Sequence, residues 1–141
     1  MAVSHEGIRG LALAVIKNKG RILVSPGYDA KKDQYFYRLI GGGIDFGENS
    51  IDTLRREMIE ELDAELTACR LLGTIENIFT FNGRPGHEIC FLYEGEFKDP
   101  SLYDIEEFKI LDSKDEGKVI WLEMNEENNK KIYPEGTADY L

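Results

Sequence analysis

YFYRLIGGGIDFGENSIDTLRREMIEELDA, residues 35–64, passes from an aromatic, branched run through three glycines into a segment with helical spacing. Residues 35–40 have the composition of a strand. Gly41, Gly42 and Gly43 are expected to stop it, because glycine adopts backbone angles that other residues resist. Residues 50–62 read as a helix with Ser50 as its N-cap. At ~100° per residue, Ile51, Leu54, Met58 and Leu62 share one stripe, with Ile59 at its margin, and that stripe packs on a sheet. Glu57, Glu60 and Glu61 gather on roughly the opposite side, spaced i,i+3 and i,i+4. Like charges so placed destabilise a bare helix by about 0.2–0.5 kcal/mol per pair. A solvated acidic face is the ordinary outcome of such a cluster. The glycine loop just upstream, with Asp45, Gly47 and Glu48, changes that reading. Hard oxygen donors beside a backbone free to close on an anion make a site for magnesium and phosphate.

Outward from this stretch, residues 8–16 and 21–25 read as two short strands joined by a turn at Asn18-Lys19-Gly20. Residues 26–34, broken by Pro26 and Gly27, read as a loop. Residues 71–81 and 88–97 read as strands around a loop holding Asn82-Gly83 and Pro85-Gly86. A short strand at 119–122 and a closing helix at 125–131 complete the pattern, with no repeat or low-complexity tract. Mixed strands with about two helices indicate an α+β or layered α/β/α domain. The 141 residues suit one domain, residues 1–141, large enough for a core without staples.

Charge sets the class of ligand. Lys+Arg is 17 against Asp+Glu 27, a formal net charge of −10. Such a surface repels a nucleic-acid backbone, and the basic residues cluster no further than pairs such as Lys31–Lys32 and Arg55–Arg56. Phosphates, if handled, must be neutralised by a cation held on carboxylates. The longest apolar run, residues 11–16, is far below the ~20 needed to span a bilayer, and residues 1–10 show no basic-then-apolar leader. Cys69 and Cys90 form no CxxC pair, and His5 and His87 lie far apart, so a disulfide framework or structural zinc has no support. A cytoplasmic protein with neither nucleic-acid nor membrane partner is expected.

Residues 42–64 resemble the Nudix box of the MutT-like hydrolases, G-x5-E-x7-R-E-U-x-E-E-x-G-U, with U a bulky aliphatic residue. Gly42, Glu48, Arg56-Glu57, Met58 and Glu60-Glu61 take their positions in it. Asp63 stands where the family has glycine, Ala64 where it has a larger aliphatic, and Ile40 where proline often precedes the glycines. The change at Asp63 falls at the helix exit, costs about 1 kcal/mol there, and removes no charged group of the box. The resemblance implies a Nudix-type α/β/α sandwich around a mixed β-sheet. It implies an Mg²⁺-dependent enzyme, with Mn²⁺ as a substitute, that cleaves the diphosphate bridge of a nucleoside diphosphate linked to another group.

By the same resemblance Glu57 and Glu61 are metal ligands, Glu60 is a ligand or water-orienting base, and the Gly42 carbonyl completes the set. Arg56 fixes a neighbouring carboxylate, and Glu48 either braces the loop against the helix or joins the metal ligands. The family often supplies a further acid from outside the box; Glu88, where a loop enters a strand, is the candidate, with Glu94 and Glu96 farther along the same face. Arg38 is a candidate phosphate contact. Phe79 and Phe81, alternating on one strand face, serve either the core or base stacking. His87 and Trp121 read as inert and core, respectively. The markers of the ADP-ribose, dinucleoside-polyphosphate and NADH branches are absent, which leaves a nucleoside triphosphate or nucleotide-sugar substrate, and a homodimer is left open. The rival readings are a nucleotide-sensing module without turnover and an isomerase using Cys69 or Cys90.

Overall fold

The computed structural model describes residues 7–111 and 117–141; residues 1–6, including His5 and most of the stretch read for a leader, lie outside them. In chain order the elements are β1 (Arg9–Val15), β2 (Lys17–Asn18), β3 (Arg21–Asp29), β4 (Gln34–Gly43), α1 (Ser50–Leu62), β5 (Leu66–Phe81), β6 (Arg84–Phe97), β7 (Glu107–Lys109), β8 (Lys118–Glu123), α2 (Glu126–Asn129) and β9 (Ile132–Tyr133). Short 3₁₀ turns occupy Pro100–Asp104 and Thr137–Tyr140. The described strands form a mixed sheet in the order β5-β6-β1-β4-β3-β8-β7, with β2 added to β3 and β9 to β4. β1 runs parallel to β6 and β9 to β4; the other pairs are antiparallel. β4 is shared by the two halves: its residues 40–43 pair with β1 and its residues 34–39 with β3.

The α1 stripe explains the layering. Leu54, Met58 and Leu62 are buried against Ala12, Ala14 and Ile40 of the sheet, and Trp121 and Phe97 extend the same core. Full burial of Leu54 and Met58 stabilises by about 1.5–3 kcal/mol each. On the opposite sheet face Leu13, Val15, Val24, Leu92 and Ile132 form a second core, on which Met124, Tyr140 and Leu141 pack. The fold is therefore an α/β/α sandwich around a mixed sheet.

Local rules account for the places where the sequence reading errs. The glycines do not stop β4, which runs through Gly43 with Gly41, Gly42 and Gly43 opposite Leu13, Ala12 and Leu11. Gly41 has φ of +150°, and a Cβ there would lie 2.9 Å from the Leu13 Cα and closer still to the Ala12 carbonyl, so glycine here permits a close strand approach. The expected loop 26–34 is largely strand, since β3 continues to Asp29 with Pro26 opposite Tyr37. β8 pairs with β3 only as far as Val24, so the edge on which Pro26 lacks an N–H is outside that ladder. β5 and β6 are longer than expected and meet in a tight turn at Asn82 (φ +50°) and Gly83 (φ +78°), as a two-residue hairpin requires. Glu88 therefore lies within β6, opposite Asn77, rather than at a loop exit. The N-cap is Asn49, and Ser50 instead meets the Tyr93 hydroxyl at 2.6 Å. The closing helix shrinks to one turn, capped by Asn125, whose side chain accepts from the Asn128 N–H.

Candidate active site

The β4–α1 connection is tied down by one arginine. Arg56 Nε donates to Glu48 Oε2 at 2.9 Å and Nη2 to Glu48 Oε1 at 3.0 Å, a two-pronged pair. Thr53 Oγ1 donates to the same carboxylate at 2.6 Å. Arg56 first, and Thr53 after it, hold the Glu48 carboxyl down to about 2. Arg56 also reaches the Gly43 carbonyl at 3.3 Å, Asp45 at 3.4 Å, Glu57 at 3.0 Å and Glu60 at 3.2 Å. The Glu48–Arg56 clasp pins the loop to the first turns of α1.

Glu57 lies deeper than Glu48 or Glu60, its side chain 14% exposed against 20% and 41%. Burial pushes its carboxyl up, Arg56 pulls it down, Glu60 pushes it up again, and a side-chain hydrogen bond joins it to Glu61. Its carboxylate rests on Gly42: a Cβ there would stand 2.5 Å from Oε1 and 2.7 Å from Oε2. This contact explains the glycine, since any side chain at residue 42 would expel the acid.

Among the described residues, no three carboxylate, histidine or cysteine side chains converge closely enough to form a metal-holding group. Arg56 engages Glu57 and Glu60 instead. The donors nevertheless fit a hard divalent cation in kind: oxygens on one helix face, two carboxylates already within hydrogen-bond reach, and the Gly42 backbone beneath them. Two adjoining carboxylates need a shared proton or a cation between them.

A cavity of about 410 Å³ runs from Gly42 and Glu61 to an aromatic end formed by Phe36, Phe79, Phe81 and Tyr133. Glu88 and Arg38 line it too, so β4, β5, β6 and α1 bring Glu61, Gly42 and the outlying candidates to one space, whereas Glu57 and Glu60 are not among the residues of its wall. Glu88 has a side chain only 17% exposed, and burial raises its carboxyl while Arg9, Arg38 and Asn77 act in the opposite direction. His87 and Glu94 are absent from the cavity wall; Glu94 instead pairs with Arg70 at 3.1 Å and Lys17 at 3.6 Å. Glu96 is exposed, and Trp121 is core, donating its indole N–H to the Ile105 carbonyl at 2.8 Å.

Arg9, Asn77, Phe36 and Tyr133, with Asp29 and Lys32 at the far end, are among the wall residues that sequence reasoning missed. Arg9 stands opposite Glu88 in the parallel β1–β6 ladder, 3.9 Å away, and its Nη2 lies over Gly43. Only strand register reveals that pairing, and a parallel partner leaves no local trace in the sequence. Phe36 did have a signal, because it alternates with Arg38 along β4.

The family model of the NUDIX domain matches residues 8–138. No curated protein sequence matches the chain. Among solved structures, the MutT NUDIX hydrolase from Burkholderia pseudomallei is 20% identical with a TM-score of 0.65, covering 96% of this chain and 99% of that one. The E. coli ORF135 protein is 20% identical at 0.60, covering 94% and 84%, and a NUDIX hydrolase from Nitrosomonas europaea is 18% identical at 0.55, covering 90% and 81%. At these identities the neighbours speak for the fold. Taken with a domain match that spans the box, the sheet and the cavity, they establish that the chain belongs to the Nudix family of hydrolases.

Proposed function

We propose that this chain is an Mg²⁺-dependent pyrophosphohydrolase that cleaves the diphosphate bridge of a nucleoside triphosphate or a nucleotide-sugar-type diphosphate. The observation that carries this reading is one cavity that brings together Glu61 of α1, Gly42 of β4, a largely buried acid at Glu88 and an aromatic end. Glu57, Glu61 and the Gly42 carbonyl would hold the cation, with Glu60 at the more exposed edge. Once bound, a divalent cation neutralises phosphoryl oxygens and lowers the pKa of a water.

The chain's own groups do the rest. Arg9 and Arg38 bind phosphate oxygens beside Glu88, and the aromatic end takes the base by stacking. As a water oxygen bonds to phosphorus and the bridging P–O bond breaks, Glu88 accepts the water's proton and the leaving phosphate departs as an anion. The raised Glu88 carboxyl suits a base operating nearer neutrality than an ordinary glutamate. Arg56 and Glu48 keep the helix face in register. Cys90 is wholly buried, its thiol pushed up to about 12 by burial and the Glu88 charge, which disfavours an isomerase built on it.

A panel of nucleoside triphosphates and nucleotide sugars, incubated with Mg²⁺ and assayed for phosphate and pyrophosphate, tests the reading. Turnover that is abolished by metal stripping with EDTA and restored by Mg²⁺ or Mn²⁺ is expected. Binding of a nucleotide without any turnover would return the chain to the sensor reading.

A further inference from the structure

We propose that a latch between the β3–β4 and β5–β6 hairpin tips closes the aromatic end of the cleft, so that it admits one nucleoside with an unextended base while groups on the terminal phosphate project past the metal face. This rests on the nucleotide reading above and adds to it a direction and a size limit.

The latch centres on Asp29, 3% exposed. Asp29 Oδ1 accepts from the N–H groups of Lys31 at 3.0 Å and Lys32 at 3.1 Å, within its own hairpin. Oδ2 reaches across to accept from the Asn82 N–H at 3.2 Å. Asn82 answers by accepting from the Ala30 N–H at 2.8 Å on its own Oδ1. Lys32 Nζ then donates to the Thr80 carbonyl at 2.7 Å. Burial alone would raise the Asp29 carboxyl, but the N–H groups of Lys32, Asn82 and Lys31 and the Lys32 charge outweigh it and leave it low. The two tips are thus joined by three cross-links built on a buried charge.

Just inside the latch the cleft narrows. Phe36 of one hairpin meets Phe81 of the other edge to face at 5.8 Å between ring centres, and Tyr133 packs on Phe36 at 5.6 Å. Glycines set the planes of the two walls. A Cβ at Gly27 would stand 2.6 Å from the Phe36 ring and one at Gly86 would run still closer into the Phe79 ring, so each phenyl lies on a bare stretch of the neighbouring strand. From Phe36 to Gly42 β4 spans six residues, roughly 20 Å at most at ~3.3 Å per residue. That length takes one nucleoside and its phosphates, with nothing beyond the base. A tip pair held together in this way resists widening, so bulk on the base meets the latch whereas bulk on the far phosphate does not.

The test compares ATP and GTP with N6-benzyl-ATP and N2-benzyl-GTP, and with the benzyl esters of ATP and GTP on the γ-phosphate. Rates are measured in Mg²⁺ and binding by calorimetry in Ca²⁺, on the full chain and its Asn82→Ala and Asp29→Asn variants. The base-substituted nucleotides should lose at least about tenfold in kcat/KM, mostly in KM, while the γ-esters stay within about threefold. Asn82→Ala should recover most of that loss while the parent kcat changes less than about twofold. Asp29→Asn, of unchanged shape, serves if Asn82→Ala melts early. Equal handling of base-substituted and parent nucleotides by the unaltered chain overturns the latch, as does a variant that slows all substrates alike. Discrimination in binding without turnover keeps the latch and removes the hydrolase reading; no binding of any nucleotide removes both.

Discussion

Glu88 and Glu48 are carboxylates held on opposite sides of the ordinary range, and they should answer pH in opposite senses. Burial raises Glu88 in the folded state. At low pH both folded and unfolded forms carry its proton, so it contributes nothing there. As pH climbs past the ordinary carboxyl value the unfolded chain ionises first, and folded stability is lost until the raised folded value is passed. Glu88→Gln should therefore melt higher than the parent at pH 7, by a margin that shrinks toward zero below about pH 4. The same substitution should cut kcat by ~10²-fold or more and leave KM within about threefold. Thermal melts from pH 3.5 to 8 beside steady-state kinetics check both halves; a pH-independent difference in melting would remove the buried-acid account. Glu48 is held down to about 2, chiefly by Arg56. Its contribution is fully present above the ordinary value near 4.5 and fades as pH falls toward 2, so Glu48→Gln should melt lower than the parent at pH 7 and converge with it in acid. Glu57→Gln and Glu61→Gln form a third class. Each should lower kcat at least ~10²-fold, with metal-free melting held or slightly raised, because one of two adjoining charges is gone. Normal turnover by either variant would move the site off this helix face.

At the scale of elements, α1 is the part best read from sequence. Its bounds and its stripe follow from the sequence, but Glu57 and Glu61 flank that stripe rather than oppose it: Glu57 lies against Gly42 of β4 and Glu61 lines the cavity. The exit shows why the box glycine matters: Asp63 sits left-handed at φ +52°, ψ +41°, its N–H donating to the Ile59 carbonyl and that of Ala64 to the Met58 carbonyl. A residue with a Cβ pays strain in that conformation. Asp63→Gly should thus raise stability by about 0.5–1 kcal/mol without changing kcat. Urea unfolding would measure it, and a loss of stability would mean that the Asp63 side chain supports the exit after all. The strands were read less well for a reason of the same kind. Pro26 and the triple glycine are breakers by local rule, yet β3 and β4 run through them because the ladder partner decides. Pro26 needs no donor on its free edge, and Gly41 is needed for the close approach to Ala12. Propensity sees one strand at a time, and these exceptions live in pairs of strands.

For the whole molecule, the box and its acidic residues were legible because they lie on one continuous segment. The cleft was not, since Arg9, Asn77, Phe36 and Tyr133 arrive from β1, β5, β4 and β9 through registers that no local pattern encodes. Net charge bridges the two levels. A chain at −10 that also gathers Glu57, Glu60 and Glu61 on one helix has more acid there than Arg56 alone neutralises, and a bound cation would offset the remainder. A divalent ion that binds the folded state alone should then stabilise the whole domain by mass action, about 1.4 kcal/mol at ten times its dissociation constant. For a domain of this length that is a rise in melting temperature of about 3–6 °C. Mg²⁺ should produce it at millimolar concentration, and NaCl of matched ionic strength should produce clearly less, because general screening acts weakly on all 27 acids and supplies no ion coordinated by Glu57 and Glu61. In Glu57→Gln the extra rise should vanish while the NaCl response persists. An equal rise from both salts, or a rise that survives Glu57→Gln, would place the cation elsewhere on the acidic surface.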